Sequence, residues 1–269
     1  MEIYQGIILG IIQGLTELLP ISSSAHLFLI PWFFKWTIPE SFDVALHFGT
    51  LLAIGIFFFK DWIGLIKGGY NQVIKKQKST EGKLFWYIVI ATIPGGIIGF
   101  LLDYYAQEIL TKPLIIAIAL IIMGILLYVV DKYAKNKTEY KDLSFKQTFL
   151  IGLSQALAFI PGVSRSGVTM TMGRTLGVKR EAAAKYSFML SAPIVLAATV
   201  FKLKDFIEYF AIANATGIIA FILGIVFSFV VGILVIKFLL EYLRKGNFKL
   251  FAVYRVILGI IVILYLIIA

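Results

Sequence analysis

The chain has 269 residues, of which 60% are hydrophobic and only 15% are charged, and its mean hydropathy is +0.93. Charged residues make up roughly 25% of soluble domains, so this composition excludes a soluble protein and indicates an integral membrane protein. The absence of cysteine excludes disulfides and a thiolate nucleophile. The net charge of +10 is better explained by basic loops facing anionic lipid than by nucleic-acid binding.

The first element is an apolar run over residues 3–19 that leads into a short polar segment. That segment contains a proline, three serines and a histidine, which are Pro20, Ser22, Ser23, Ser24 and His26. We expect residues 3–35 to form a hairpin of two short helices. The alternative is an ordinary membrane span followed by an external serine-rich loop.

Six further apolar runs follow along the chain, most of them within the range of about 17–25 residues that a membrane-spanning helix needs. They cover residues 43–59, 84–102, 113–130, 186–201, 215–236 and 251–268. The shortest of them needs flanking residues to span.

Basic residues are concentrated in four segments between these runs. The four groups are Lys60 to Lys83, Lys132 to Lys146, Arg174 to Lys185, and Lys237 to Arg255. The positive-inside rule places such segments in the cytoplasm. This interpretation assigns every lysine and arginine to a loop, except Arg165.

The polar segment near the N-terminus has a second copy 142 residues later, where Ser164, Arg165 and Ser166 stand opposite Ser22, Ser23 and Ser24. Residues 147–173 begin and end on the predicted cytoplasmic side, so we expect a re-entrant hairpin there. Three crossings separate the two copies, and an odd number inverts them. The sequence therefore predicts an all-α integral membrane protein with one membrane domain, 1–269. Its inverted repeats are 1–130 and 146–269, each a re-entrant helical hairpin plus three transmembrane helices.

Glu17 is an acidic residue within an apolar run, where an ionisable group costs roughly 2.5–3.5 kcal/mol and usually marks a functional site. Gln13 precedes it by one helical turn and faces the same side. A carboxylate beside an amide suits a divalent cation, so Glu17 and Gln13 are candidate metal ligands. The alternative is a structural ion pair between Glu17 and Arg165.

The second copy has the features of a phosphate site. Its serines begin a helix, whose N-terminus attracts anions, and the guanidinium of Arg165 matches phosphate bidentately. The candidate substrate-binding residues are Ser22, Gly162, Ser164, Ser166 and Thr169. Helix capping is the competing explanation for these hydroxyls.

Ser22 or Ser23 lies three or four residues before His26, which would place a hydroxyl and an imidazole on adjacent helical positions. Such a pair suits a nucleophile and a general acid or base. His47 either lines the same cavity or is a core histidine.

Two segments, Gln13 to His26 and Pro161 to Thr169, resemble the two signatures of the undecaprenyl-diphosphate phosphatase family, also called bacitracin resistance proteins. The resemblance extends over nearly the whole chain. Gln13 stands where some members have a second glutamate, which weakens a two-carboxylate cation site. The resemblance implies that Glu17, Ser23, His26 and Arg165 are catalytic.

The resemblance also implies hydrolysis of undecaprenyl diphosphate to the monophosphate, recycling of the cell-wall carrier lipid, and bacitracin resistance. A divalent cation, Mg²⁺ or Ca²⁺, is the implied cofactor. The partners are a polyprenyl diphosphate substrate and membrane lipids, and the assembly could be a homodimer. The expected location is the inner membrane, with an active site open to the extracytoplasmic side. The rival hypothesis is a transporter or flippase of a phosphorylated lipid or anion, because inverted repeats and broken helices also suit a carrier.

Overall fold

The computed structural model describes residues 1–268, and the side chains of all of these except 40, 99–100 and 102–109. Within this range the fold is helical, with one isolated β-bridge between Thr138 and Val178. The first six helices are α1 Ile3–Thr16, α2 Ser23–Phe34, α3 Glu40–Phe57, α4 Phe59–Ile74, α5 Thr80–Leu110 and α6 Pro113–Tyr133. The other six are α7 Phe145–Ser154, α8 Arg165–Thr175, α9 Arg180–Phe201, α10 Leu203–Ile212, α11 Ala215–Lys245 and α12 Lys249–Ile268.

Among the described residues, five helices are long and apolar enough to cross a membrane, which makes the chain a multi-pass membrane protein. They are α6, α9, α11, α12 and the first part of α5, over Thr80–Ile98. The helices α3 and α4 meet the same criterion together, but they are bent by 79° at their junction. All six apolar runs predicted from the sequence therefore lie in helices.

The basic segment 60–83 was expected to be a loop, but it contains α4. Residues of this segment form the helix α4 because one of its faces is apolar and packs on α5. Leu65 and Gly69 are buried, and Gly69 lies close to the ring of Phe85, whereas Lys67 remains exposed. The charged residues thus form one side of a surface helix rather than an irregular loop.

The four helices that flank the two serine-rich bends are too short to span the hydrocarbon core alone. The helices α1 and α2 have 14 and 12 residues, and α7 and α8 have 10 and 11. At about 1.5 Å per residue, each is well below the thickness of about 30 Å. A bend over residues 17–22 joins the first pair, and a 3₁₀ turn, Gln155–Phe159, followed by a bend joins the second.

Glycines allow the short helices to approach the long ones. A Cβ on Gly10 of α1 would lie 2.4 Å from the carbonyl oxygen of Gly224 in α11. A Cβ on Gly152 of α7 would lie 2.3 Å from the carbonyl oxygen of Ala91 in α5. Both distances are shorter than any real carbon contact, so the backbones touch at these positions.

Two arginines that were assigned to cytoplasmic loops are fully buried, so the expectation that Arg165 alone lies outside the loops is wrong. Arg174, in the last turn of α8, donates from Nε to the Asp131 carboxylate at 2.8 Å. Arg255 lies in α12 and donates to backbone carbonyls. Both side chains are satisfied by partners that are distant in sequence, which hydropathy does not reveal.

We expect Gly10→Ala to lower the apparent midpoint of thermal unfolding in detergent by several degrees, because overpacking costs roughly 1–3 kcal/mol. Gly55→Ala in α3 is the matched control, since no atom lies within 4 Å of the position of its Cβ. The control should keep or raise its midpoint, since alanine favours helix. Equal midpoints for the two variants would contradict the close α1–α11 contact.

Candidate active site

The helices α2 and α8 begin in the same way. Their N-cap residues, Ser22 and Ser164, have φ values of +76° and +70°, which is unusual for residues other than glycine. The Ser22 hydroxyl accepts from the N–H of Ala25 at 3.3 Å, and the Ser164 hydroxyl accepts from that of Gly167 at 3.1 Å. Each bend thus ends in a serine-capped helix N-terminus with the polarity that attracts anions.

Glu17 lies at the end of α1, where it is only 5% exposed and both of its carboxylate oxygens are engaged. Arg165 Nη2 donates to Oε1 at 2.5 Å. Ser23 Oγ donates to Oε2 at 2.5 Å, and Gln13 Nε2 donates to the same oxygen at 3.1 Å. The carboxylate therefore joins the first serine-rich bend to the guanidinium of the second.

His47 of α3 is the second ionisable neighbour of this carboxylate. Its Nδ1 lies 3.1 Å from Glu17 Oε2 and 2.8 Å from Gln13 Nε2. When Nδ1 carries a proton it donates to Glu17, and when it does not it accepts from Gln13. The side chain is 29% exposed, so this imidazole can exchange a proton with the carboxylate and with solvent.

These groups line one cavity of about 250 Å³. Its polar wall consists of Glu17, Ser23, Ser24, His47, Gln155, Ser164 and Arg165. Its apolar wall consists of Val44, Ala158, Phe159, Ile194, Val195 and Ala198. A polar end beside an apolar wall matches an amphipathic ligand with a charged headgroup.

The structure brings four of the predicted site residues to this cavity, which are Glu17, Ser23, Ser164 and Arg165. Gln13 contacts Glu17 from outside the cavity wall, and four further predicted residues contact the surrounding framework. Ser166 Oγ donates to the Leu19 carbonyl at 3.0 Å, and Thr169 Oγ1 lies 2.7 Å from Ser187 Oγ. Gly162 has a φ of +95°, and its carbonyl oxygen accepts from Arg255. Ser22 acts as the helix cap, as the competing explanation for the hydroxyls had it.

The structure does not pair His26 with Ser23. His26 Nδ1 lies 2.6 Å from the Ser22 carbonyl oxygen, and Nε2 lies 2.7 Å from the Tyr254 hydroxyl of α12. Both ring nitrogens are engaged, and the side chain is not part of the cavity wall. The spacing of three residues correctly puts His26 on the same helix as Ser23, but on the side that packs against α12.

Two polar residues of the cavity wall, Ser24 and Gln155, were absent from the predicted site. His47, which the sequence left open between the cavity and the core, lines the cavity. Gln155 had a signal in the sequence, because it is the counterpart of Gln13 at the 142-residue offset. His47 had a weaker signal, as one of only two histidines in the chain. Its contact with Glu17 depends on how α3 packs, which spacing does not specify.

Two side-chain oxygens near the site are buried and have no hydrogen-bond partner, Oε1 of Gln13 and Oε1 of Gln155. Gln13 turns its Nε2 towards Glu17, so a rotation of this amide by 180° would bring Oε1 beside the carboxylate. The two groups would then form a donor set that suits a hard cation. Among the described residues there is no group of three histidine, cysteine or acidic side chains that would hold a metal ion alone. The residues present therefore fit a cation that takes its remaining ligands from water and from a phosphorylated substrate.

The fold and the cavity define a multi-pass membrane protein with a site for a charged headgroup. The family described as "Bacitracin resistance protein BacA" matches residues 6–261, and the chain belongs to this family. It is 49% identical over 264 residues to the undecaprenyl-diphosphatase of Pelotomaculum thermopropionicum, covering 98% of this chain and 96% of that protein. The undecaprenyl-diphosphatases of Caldicellulosiruptor bescii and Moorella thermoacetica are 48% and 45% identical, with at least 97% of each chain covered. These comparisons confirm the family that the two sequence motifs predicted.

Proposed function

We propose that the protein is an undecaprenyl-diphosphatase, which hydrolyses undecaprenyl diphosphate to undecaprenyl phosphate and inorganic phosphate. The observation that carries the proposal is the contact of Ser23, Glu17 and Arg165 in a cavity with one apolar wall. Membership of a family whose relatives bear this enzyme name supports the substrate. The reaction regenerates the carrier lipid of cell-wall synthesis, and this accounts for resistance to bacitracin.

The headgroup binds at the N-terminus of α8. Arg165 is the first residue of this helix and is 15% exposed, so its guanidinium can reach a phosphate while one nitrogen holds Glu17. The Ser164 hydroxyl and the free N–H groups of the first turn add neutral donors. The prenyl chain leaves along the apolar wall formed by Ile194, Val195 and Ala198 of α9.

Ser23 is the nucleophile of the proposed reaction. Its hydroxyl donates to Glu17 over 2.5 Å, so the carboxylate can accept the proton as Oγ attacks the terminal phosphorus. The bond from phosphorus to the bridging oxygen breaks, and undecaprenyl phosphate leaves. Water then hydrolyses the phosphoserine, and His47 passes the proton between Glu17 and solvent.

We also propose a divalent cation, Mg²⁺ or Ca²⁺, as the cofactor. Glu17 and Arg165 cancel each other's charge, whereas a diphosphate brings several negative charges into the cavity. The chain offers Glu17 and, after rotation of the Gln13 amide, the orphaned Oε1 of Gln13 as protein ligands. When bound, the cation neutralises charge on the transferring phosphoryl group.

The proposed architecture is a pair of inverted repeats, residues 1–130 and 146–269, in the inner membrane. Equivalent contacts support it, because α1 packs against α11 through Gly10 as α7 packs against α5 through Gly152. The serine-capped starts of α2 and α8 also match. In this arrangement the cavity opens to the extracytoplasmic side, where the spent carrier lipid is released.

Phosphate release by the purified protein from undecaprenyl diphosphate in detergent tests the proposed activity. We expect release with Mg²⁺ and little after chelation, and a fall of at least about 100-fold for Glu17→Gln and Arg165→Lys. The exposed ion pair Arg244–Glu181 provides matched controls, Glu181→Gln and Arg244→Lys. Absence of release by the wild-type protein, or full release by either site variant, would refute the proposal.

Substitution of the two histidines distinguishes the proton relay proposed for His47 from the structural contact of His26 with Tyr254. We expect His47→Gln to lower kcat by about 10–100-fold, because a proton relay is lost. The same change at His26 should cost less than about threefold, since glutamine can still donate or accept towards Tyr254. Steady-state kinetics of both variants measure this difference, and the opposite order would assign the relay to His26.

A further inference from the structure

Arg255 is a cation that the proposed mechanism does not use. It lies in α12 with an exposed fraction of 0%, and it is absent from the cavity wall. An unpaired charge at such a position is costly unless its donors are satisfied. The described contacts of its guanidinium are backbone carbonyl oxygens.

Three of these four carbonyls belong to the two bends. Nη1 donates to the Pro20 oxygen at 3.2 Å, and Nη2 donates to the Gly162 oxygen at 2.8 Å. Pro20 and Gly162 are equivalent positions of the two copies at the 142-residue offset. Nη2 also donates to Val163 at 2.9 Å, and Nε to Leu120 in α6 at 3.4 Å. One side chain therefore joins the same point of the two bends.

The local sequence leaves space for this guanidinium. A Cβ on Gly167 would lie 2.6 Å from Arg255 Nη1, so a larger residue in the first turn of α8 would displace it. Gly162 adopts a φ of +95°, which favours glycine. Arginine suits the position because it offers five donors in a planar fork, whereas lysine offers three on a single atom.

We infer that Arg255 is a positioning residue that fixes the two bends relative to each other. Its bonds lie three residues before Ser23 in one bend, and two and three residues before Arg165 in the other. The nucleophile belongs to the first bend and the phosphate-binding guanidinium to the second. Arg255 thereby sets the distance between attacking oxygen and bound phosphorus.

The inference rests on the proposed function for its kinetic consequence. We call the hydrogen bonds from Arg255 to the two bends the clamp. Its loss leaves the second bend able to bind the headgroup, but Ser23 is no longer aligned with that headgroup. We therefore expect Arg255→Met to lower kcat by about 100-fold, since a displacement of about 1 Å costs that much, while KM changes less than about threefold. Arg255→Lys should recover part of the lost kcat.

A distance measurement tests the clamp without relying on activity. The chain has no cysteine, so spin labels can be attached at Lys35→Cys and Thr175→Cys, exposed positions at the ends of α2 and α8. We expect a narrow distribution of label distances in the parent protein and a broadened one in Arg255→Met. Arg244→Met removes an exposed arginine and should change neither the distribution nor kcat.

Gly167→Ala is the second variant, because it displaces the guanidinium while keeping every charge. If Arg255→Met does not yield monodisperse protein, Gly167→Ala and Arg255→Lys decide by the same two measurements. An unchanged distance distribution, or a kcat within about threefold of the parent, overturns the inference. A parent protein without phosphatase activity refutes the proposed function, whereas the distance distribution still tests the clamp.

Discussion

Glu17 and Arg165 meet across the junction of the two halves of the chain, 2.5 Å apart and largely shielded from water. Neither charge would be stable there alone, because an unpaired ionised group is costly in an apolar interior. The pairing requires the end of α1 to meet the start of α8. The bends and the glycine contacts of α1 and α7 provide that geometry. The same pairing presents a carboxylate to Ser23 and a guanidinium to the cavity.

Breaking a helix inside a membrane leaves backbone groups that lipid cannot satisfy. The chain satisfies the N–H groups at the start of α2 and α8 in part with the hydroxyls of Ser22 and Ser164. It satisfies carbonyls at both bends with Arg255. A shared clamp favours a site of fixed geometry, which suits chemistry at a bound headgroup. A carrier would instead require the two bends to move past each other.

The sequence was sufficient to predict the helical membrane fold, the six apolar runs and the convergence of the two serine-rich motifs on one site. The direct ion pair of Glu17 with Arg165 was only the competing alternative there, and the structure contains it. Hydropathy identifies long spans because the bilayer imposes a length, and the repeated motif brings Ser23 and Ser164 to one place. Positional detail was less predictable. His26 was expected to pair with the serines of its own helix but contacts Tyr254, because helical spacing defines a neighbour along the chain and not the face that packs. The sequence left His47 open between the cavity and the core, because its contact with Glu17 depends on the packing of α3. Arg255 was assigned to a loop because nothing local distinguishes a buried arginine from one at a span end.

The central claim is that Glu17 and Arg165 have different chemical tasks, beyond holding the halves together. The most direct test is to exchange them, by combining Glu17→Arg with Arg165→Glu, and to measure phosphate release and the midpoint of unfolding. A purely structural ion pair would be restored by the exchange, and activity would return with stability. The account predicts that the exchanged protein regains stability relative to each single variant, yet stays at least about 100-fold less active than the wild type. Recovery of activity to within about threefold would contradict it.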